Sequence, residues 1–303
     1  MMPLIFVTRP AALARWQTRR VIQLLQNAHP WLECSEHVIS TTGERNVDRP
    51  LPEIGGRGLF TAELDEALLS GQVHAVVHSL KDLPVEDTPG IVIAAIPERE
   101  AAFDVLVSAQ RWTLSNLPQG ARVGTCSPRR TAQLLARRPD LQILPLRGNV
   151  DTRVRKALNG EYDAIVLAQA GLIRLGLHAH IREVLSLDVM LPAPGQGALA
   201  VQCRADDIPT LALFTAIHDP WIAAVVEAER TFLSALGGGC SLPIAAFAEN
   251  ENGIVILTGA VISTDGKRAI RLSAADTEPH RLGERLADLV LERGAAELLK
   301  VNV

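Results

Sequence analysis

Along the first two-thirds of the chain the hydrophobic positions alternate between two periods. Short apolar runs at 4–8, 73–79, 122–125, 143–146 and 163–168 read as strands. The stretches 11–26, 61–69, 128–138 and 150–158, and one near 171–175, repeat apolar residues at helical spacing and read as amphipathic helices. Strand and helix in alternation predict βαβ units and mostly parallel sheets. Two such α/β lobes fit the length, with breaks near Pro97-Glu98-Arg99-Glu100 and at Pro192-Ala193-Pro194-Gly195-Gln196-Gly197. After His218-Asp219-Pro220 the pattern changes: a helix at 223–236 precedes strands at 243–249, 254–263 and 268–274. The strands are joined by Asn250-Glu251-Asn252-Gly253 and Asp265-Gly266, both hairpin-type turns. An amphipathic helix over 279–300 completes what reads as a small α+β domain.

The 303 residues suit two or three domains, and 48% apolar with 21% charged residues excludes wholesale disorder. A formal net charge of -4 makes the whole chain no polyanion binder. The 30 basic residues are 26 Arg and only 4 Lys, a ratio that carboxylate or phosphate recognition favours and that a coding bias would also produce. No run approaches the roughly 18 apolar residues of a membrane span, and Leu4-Ile5-Phe6-Val7 is too short for a signal-peptide core. Cys34, Cys126, Cys203 and Cys240 form no CxxC pair and no zinc spacing. A reduced, cytoplasmic setting without a metal site is therefore expected.

Several strand-to-helix junctions carry an anion-binding pattern, because ligands of open α/β sheets sit beyond the strand ends and near helix N-termini. Arg9 follows the first strand, Gly55-Gly56-Arg57-Gly58 opens a helix, and Thr125-Cys126-Ser127-Pro128-Arg129-Arg130 starts another. Arg147-Gly148-Asn149 follows a strand, with Arg153 one turn on. From Arg122 to Lys156 eight Arg and one Lys face only Asp140 and Asp151, a local +7 that leaves -11 for the rest. Part of this is solvated helix face, as expected of Arg137 and Arg138. Nucleic acid is disfavoured, because the chain's only Tyr is Tyr162 and no Phe or Trp lies between 122 and 156, whereas bases need a stacking platform. His78-Ser79-Leu80-Lys81-Asp82-Leu83-Pro84 ends a strand and puts Lys81 and Asp82 at the ligand edge. There Asp82 either stabilises a cation or moves a proton, or belongs to a surface turn with a local ion pair. Gly237-Gly238-Gly239-Cys240 fixes no conformation by its glycines. Its thiol either anchors a covalent ligand or is a small buried hydrophobe.

Taken in order, 55–60, 75–86, 123–148, 160–176, 194–198 and 229–243 resemble the porphobilinogen deaminase (hydroxymethylbilane synthase) family over nearly the whole chain. The resemblance implies two periplasmic-binding-protein-like α/β lobes and a small α+β C-terminal domain. The expected division is 1–97 with 198–217, then 98–197, then 218–303, the last carrying the cofactor cysteine. It implies a transferase of tetrapyrrole biosynthesis that deaminates four porphobilinogens and joins them head to tail, with water, into hydroxymethylbilane. The primer is a dipyrromethane cofactor, thioether-linked here to Cys240. The essential carboxylate maps onto Asp82, which also faces the cofactor; Lys81, Thr125, Ser127, Arg129 and Arg130 fall on positions holding cofactor carboxylates. Arg9, Gln17, Arg147, Arg153, Arg174 and Gln196 fall on positions assigned to substrate and growing chain. A cytoplasmic monomer without membrane or nucleic-acid partner is expected. The chain departs from the family pattern at Ala11, Glu53, Arg57, Ala101, Ala102, Cys126, Pro128 and Gly237. A non-enzymatic solute-binding module would use the same Arg-lined strand ends; Cys240 and Asp82 are what it would not need.

Overall fold

The computed structural model describes residues 3–40, 62–239 and 242–299. By contact the chain divides into two compact units, Met1–Arg99 with Ala198–Ala223, and Glu100–Gly197 with Ala224–Val303. The first unit begins with β1 (Leu4–Thr8), α1 (Ala12–Ala28), β2 (Cys34–Val38), α2 (Ala62–Leu69), β3 (Ala75–Ser79) and β4 (Ile91–Ala95). The second begins with β5 (Asp104–Val107), β6 (Arg122–Gly124), α3 (Pro128–Arg137), β7 (Gln142–Leu144), α4 (Val150–Leu158), β8 (Ala164–Ala168), α5 (Gln169–Arg174) and β9 (Ile181–Val184). The first unit is then completed by β10 (Leu199–Arg204) and α6 (Ile208–Phe214), and α7 (Pro220–Ala235) leads out of it. The second ends with β11 (Ile244–Glu251), β12 (Ile254–Ile262), β13 (Ala269–Asp276), α8 (Pro279–Glu292) and α9 (Ala295–Leu299).

Burial on both faces explains the apolar strands. α1 turns Ala14, Val21 and Leu25 inward at helical spacing, and Val21 and Leu25 meet Phe6, Val77, Val201 and Phe214 on one side of the first sheet. The other side packs Val7 and Val76 against Leu64 and Leu68 of α2. A strand such as β3, covered from both sides, has no polar face to alternate with.

The two large sheets share one plan, β2-β1-β3-β10-β4 and β7-β6-β8-β5-β9. They are mixed rather than mostly parallel, which corrects the expectation from the sequence. β1 pairs parallel with β2 and β3, but β10 is antiparallel to β3 and β4. Likewise β6 is parallel to β7 and β8, whereas β5 is antiparallel to β8 and β9. The reversed strands are those beside the crossovers: β5 follows the first, β10 the second. Neither is delivered by a βαβ connection, so neither inherits its direction.

The last three strands form an antiparallel sheet, β11-β12-β13. Asn252 (φ 53°) and Gly253 (φ 88°) make the tight turn between the first two, a conformation that Asn-Gly adopts readily. This sheet shares a core with the second lobe, where Ala245, Ala260 and Ile262 pack on Ala132 and Leu191. The predicted single helix over 279–300 is two, because Gly294 turns the chain at φ 92°.

Candidate active site

In the first unit β1 and β3 run parallel as neighbours, so the segments leaving their C-terminal ends emerge at one sheet edge. Half-buried Arg9 comes directly after β1. After β3, Leu80–Asp82 makes one 3₁₀ turn. Leu80 is fully buried and its N–H reaches Ala198 O at 2.9 Å, while Leu83 N–H closes the turn on Leu80 O at 3.1 Å. The turn is thus anchored by its first residue, which leaves Lys81 half-buried and Asp82 exposed. Gln17 is buried in α1 and donates from Nε2 to Ser79 Oγ at 2.7 Å. It braces the residue just ahead of this turn.

His78 lies beneath the same edge. Burial first, and the charge of Arg9 second, push its imidazole down to about 3. The folded value lies below the ordinary value of about 6.5, so neutral His78 contributes stability that is complete above about pH 6.5 and lost as the pH falls toward 3. Urea unfolding at pH 6.5 and pH 5 is expected to show the wild type losing up to about 2 kcal/mol more than His78→Gln over that interval.

In the second unit the ends of β6 and β7 carry Thr125–Ser127 and Arg147. Buried Thr125 accepts Ser127 N–H on Oγ1 at 3.2 Å. Ser127 caps α3, its Oγ accepting Arg130 N–H at 3.4 Å, with Pro128 opening the helix. Arg129 and Arg130 therefore stand in a first helical turn, and both are buried. Their common partner is Asp104, which is fully buried: Arg129 Nη1 reaches its Oδ2 at 2.6 Å, and Arg130 Nη2 its Oδ1 at 2.7 Å. Burial pulls the Arg129 guanidinium below its ordinary value, and the Asp104 charge works against that pull. Half-buried Arg153 donates Nε to Gly148 O at 2.7 Å, and half-buried Arg147 sits one residue before that glycine. Arg174 is buried and donates Nη2 to Gly197 O at 2.7 Å.

Two placements change the reading from the sequence. Gln196 is fully buried, and its Nε2 donates to Ala102 O at 2.6 Å and Asp104 Oδ1 at 3.1 Å. In this structure its side-chain amide braces the Asp104 cluster. Asp104 itself escaped the sequence reading. Its signal was a lone carboxylate heading the apolar run Asp104-Val105-Leu106-Val107.

Residues 4–212 match the family described as "Porphobilinogen deaminase, dipyromethane cofactor binding domain", and residues 223–292 match "Porphobilinogen deaminase, C-terminal domain". The chain belongs to the porphobilinogen deaminase family. The porphobilinogen deaminase of Brevibacillus brevis is 46% identical over 293 residues, covering 96% of this chain and 95% of the relative. That of Roseiflexus castenholzii is 47% identical over 294 residues, covering 96% and 97%. Among solved structures, the arginine-specific periplasmic binding protein STM4351 of Salmonella typhimurium aligns at a TM-score of 0.42 with 16% identity, covering 74% of this chain and 94% of that one.

The donor set fits the dipyrromethane that this family's cofactor-binding domain is described as holding. A dipyrromethane built from porphobilinogen units carries an acetate and a propionate on each ring, and the two guanidiniums of Arg129 and Arg130 face the single charge of Asp104, leaving these three groups at +1. Cys240 lies outside the described residues, as do Glu53 and Gly55-Gly56-Arg57-Gly58. Gly237 ends α7 with φ 64°, a left-handed conformation that glycine adopts without strain. A Cβ on Gly238 would lie 2.5 Å from Leu233 Cδ1 and 2.7 Å from Ile244 Cδ1. These two glycines are set by geometry, which corrects the expectation that the glycines fix no conformation. Gly237, a departure from the family pattern, is thus suited to its place. Ala11, another departure, stands at the N-cap of α1 and makes no side-chain cap.

Proposed function

We propose that this chain condenses four porphobilinogens head to tail, releasing four ammonia, and with one water yields hydroxymethylbilane. The observation that carries the reading is family membership over nearly the full chain, at 46–47% identity with porphobilinogen deaminases.

Porphobilinogen is a pyrrole bearing an aminomethyl, an acetate and a propionate group. Electron push from its ring nitrogen expels ammonia and spreads positive charge over the ring. Asp82 is the carboxylate that would hold the pyrrole N–H and stabilise that charge. It is suited to this because its turn is fixed by Leu80 while its own side chain is exposed. Once the new carbon–carbon bond has formed, one ring proton leaves and aromaticity returns. Cys240 would hold the dipyrromethane through its sulfur, and the group so bound would offer a free pyrrole carbon to the first substrate. Lys81, Thr125, Ser127, Arg129 and Arg130 would bind its carboxylates. Arg9, Arg147, Arg153 and Arg174 would bind those of the substrate and the growing chain. Gln17 and Gln196, both buried, would act through Ser79 and Asp104. The proposal includes a cytoplasmic monomer with neither membrane nor nucleic-acid partner.

The test is to supply porphobilinogen to the purified chain and measure ammonia and linear tetrapyrrole together. The reading predicts about four ammonia per tetrapyrrole. Absence of porphobilinogen consumption would contradict it.

A further inference from the structure

Asp104 is a heavily engaged carboxylate of the second unit. It opens β5 with no exposed surface. Its Oδ2 accepts Arg129 Nη1 at 2.6 Å. Its Oδ1 accepts Arg130 Nε at 3.0 Å, Arg130 Nη2 at 2.7 Å and Gln196 Nε2 at 3.1 Å. The guanidiniums are tied down a second time, Arg129 Nη1 to Leu191 O at 2.8 Å and Arg130 Nη1 to Val166 O at 3.1 Å. Among the described residues, every hydrogen bond from the Arg129 guanidinium leaves from Nη1, so its Nε and Nη2 edge is not committed to this cluster.

The cluster continues. Gly195, next to Gln196, donates its N–H to Glu229 Oε2 at 2.7 Å, and Glu229 Oε1 accepts Ala248 N–H at 2.7 Å. Glu229 is fully buried in α7, the helix that ends just before Gly237-Gly238-Gly239-Cys240. Buried polar contacts therefore run from the helix entering the cysteine loop, through Gly195 and Gln196, to Asp104 and the two arginines.

We infer that Asp104 is a positioning residue for cofactor capture: it holds Arg129 and Arg130 as a rigid pair of net single positive charge, in register with the helix that leads to Cys240. Two adjacent buried guanidiniums repel each other, and one carboxylate bound to both keeps them together while leaving an excess charge for an incoming carboxylate. Gln196 and Glu229 keep that carboxylate in place. The inference rests on the proposed role of Arg129 and Arg130 in binding the cofactor's carboxylates.

The experiment measures covalent dipyrrole uptake by cofactor-free full-length protein supplied with porphobilinogen, using intact mass over time, alongside KM of whatever fraction loads. Asp104→Asn keeps the shape and removes the charge. It is expected to load about tenfold more slowly, while KM of the loaded fraction stays within about twofold and Asp104→Glu recovers most of the rate. If Asp104→Asn does not unfold cooperatively, Gln196→Met decides: it keeps every charge and is expected to load about threefold more slowly. Wild-type loading by a folded Asp104→Asn, or by Gln196→Met, would overturn the inference. Wild-type loading by Arg129→Gln and Arg130→Gln would instead overturn the reading beneath it.

Discussion

Asp82→Ala is expected to fold, to carry the covalent dipyrrole and to lose at least about 10²–10³-fold in turnover. The three outcomes separate because of how the Leu80–Asp82 turn is built. Its backbone bonds to Ala198 and within itself, and its buried anchor is Leu80, so truncating the exposed Asp82 side chain removes little packing. On the proposed mechanism, what is removed is the negative charge offered to a ring that becomes positive as ammonia leaves. That charge is needed in the transition state and much less in the bound substrate, so the loss should fall on kcat rather than KM. Asp82→Asn keeps the shape and the acceptor oxygen and is expected to be nearly as inactive. Single-turnover ammonia release checks both variants, and substantial activity in either would refute the role.

Cys240→Ser is expected to contain no covalent dipyrrole and to form no hydroxymethylbilane above background. A thioether needs sulfur as the nucleophile, and a serine hydroxyl holds its proton far more tightly than a thiol. The change should not disturb the approach to the loop, where Gly238 N–H bonds Leu233 O at 3.0 Å and Leu242 N–H bonds Gly239 O at 3.2 Å. It should still lower the thermal midpoint relative to the loaded wild type. Among the described residues Asp104 is the counter-charge that buried Arg129 and Arg130 share, and on the proposed reading the stabilisation that cofactor binding would add is lost. A melt of the two proteins side by side, with intact mass on the same samples, checks both effects.

The parts of the fold that local pattern determines were legible. β3 was marked by the apolar triplet Ala75-Val76-Val77, α4 by its periodicity, and the β11–β12 turn by Asn252-Gly253. Strand direction was not, because β5 and β10 are reversed by connections that no local pattern encodes. The same division holds at the site. Ser127, Pro128 and the two arginines after them announce a helix start carrying positive charge. Asp104 lies 25 residues before Arg129, and only the folded sheet shows that one buried carboxylate serves both guanidiniums. Gln196 illustrates the converse. It sits in a glycine- and proline-rich segment that reads as a break between lobes, yet its side chain is fully buried. The excess of Arg over Lys also gains meaning here, since the Arg130 fork places two donors on one oxygen of Asp104, which a lysine ammonium would not reproduce in that fixed geometry.

The most direct test of a covalent primer on this chain is the intact mass of the purified full-length protein, with peptide mapping of the same sample. The expected result is a mass increase of two linked pyrrole units, localised to the peptide that contains Cys240. An unmodified Cys240 peptide, persisting after cofactor-free protein has been supplied with porphobilinogen under turnover conditions, would contradict it.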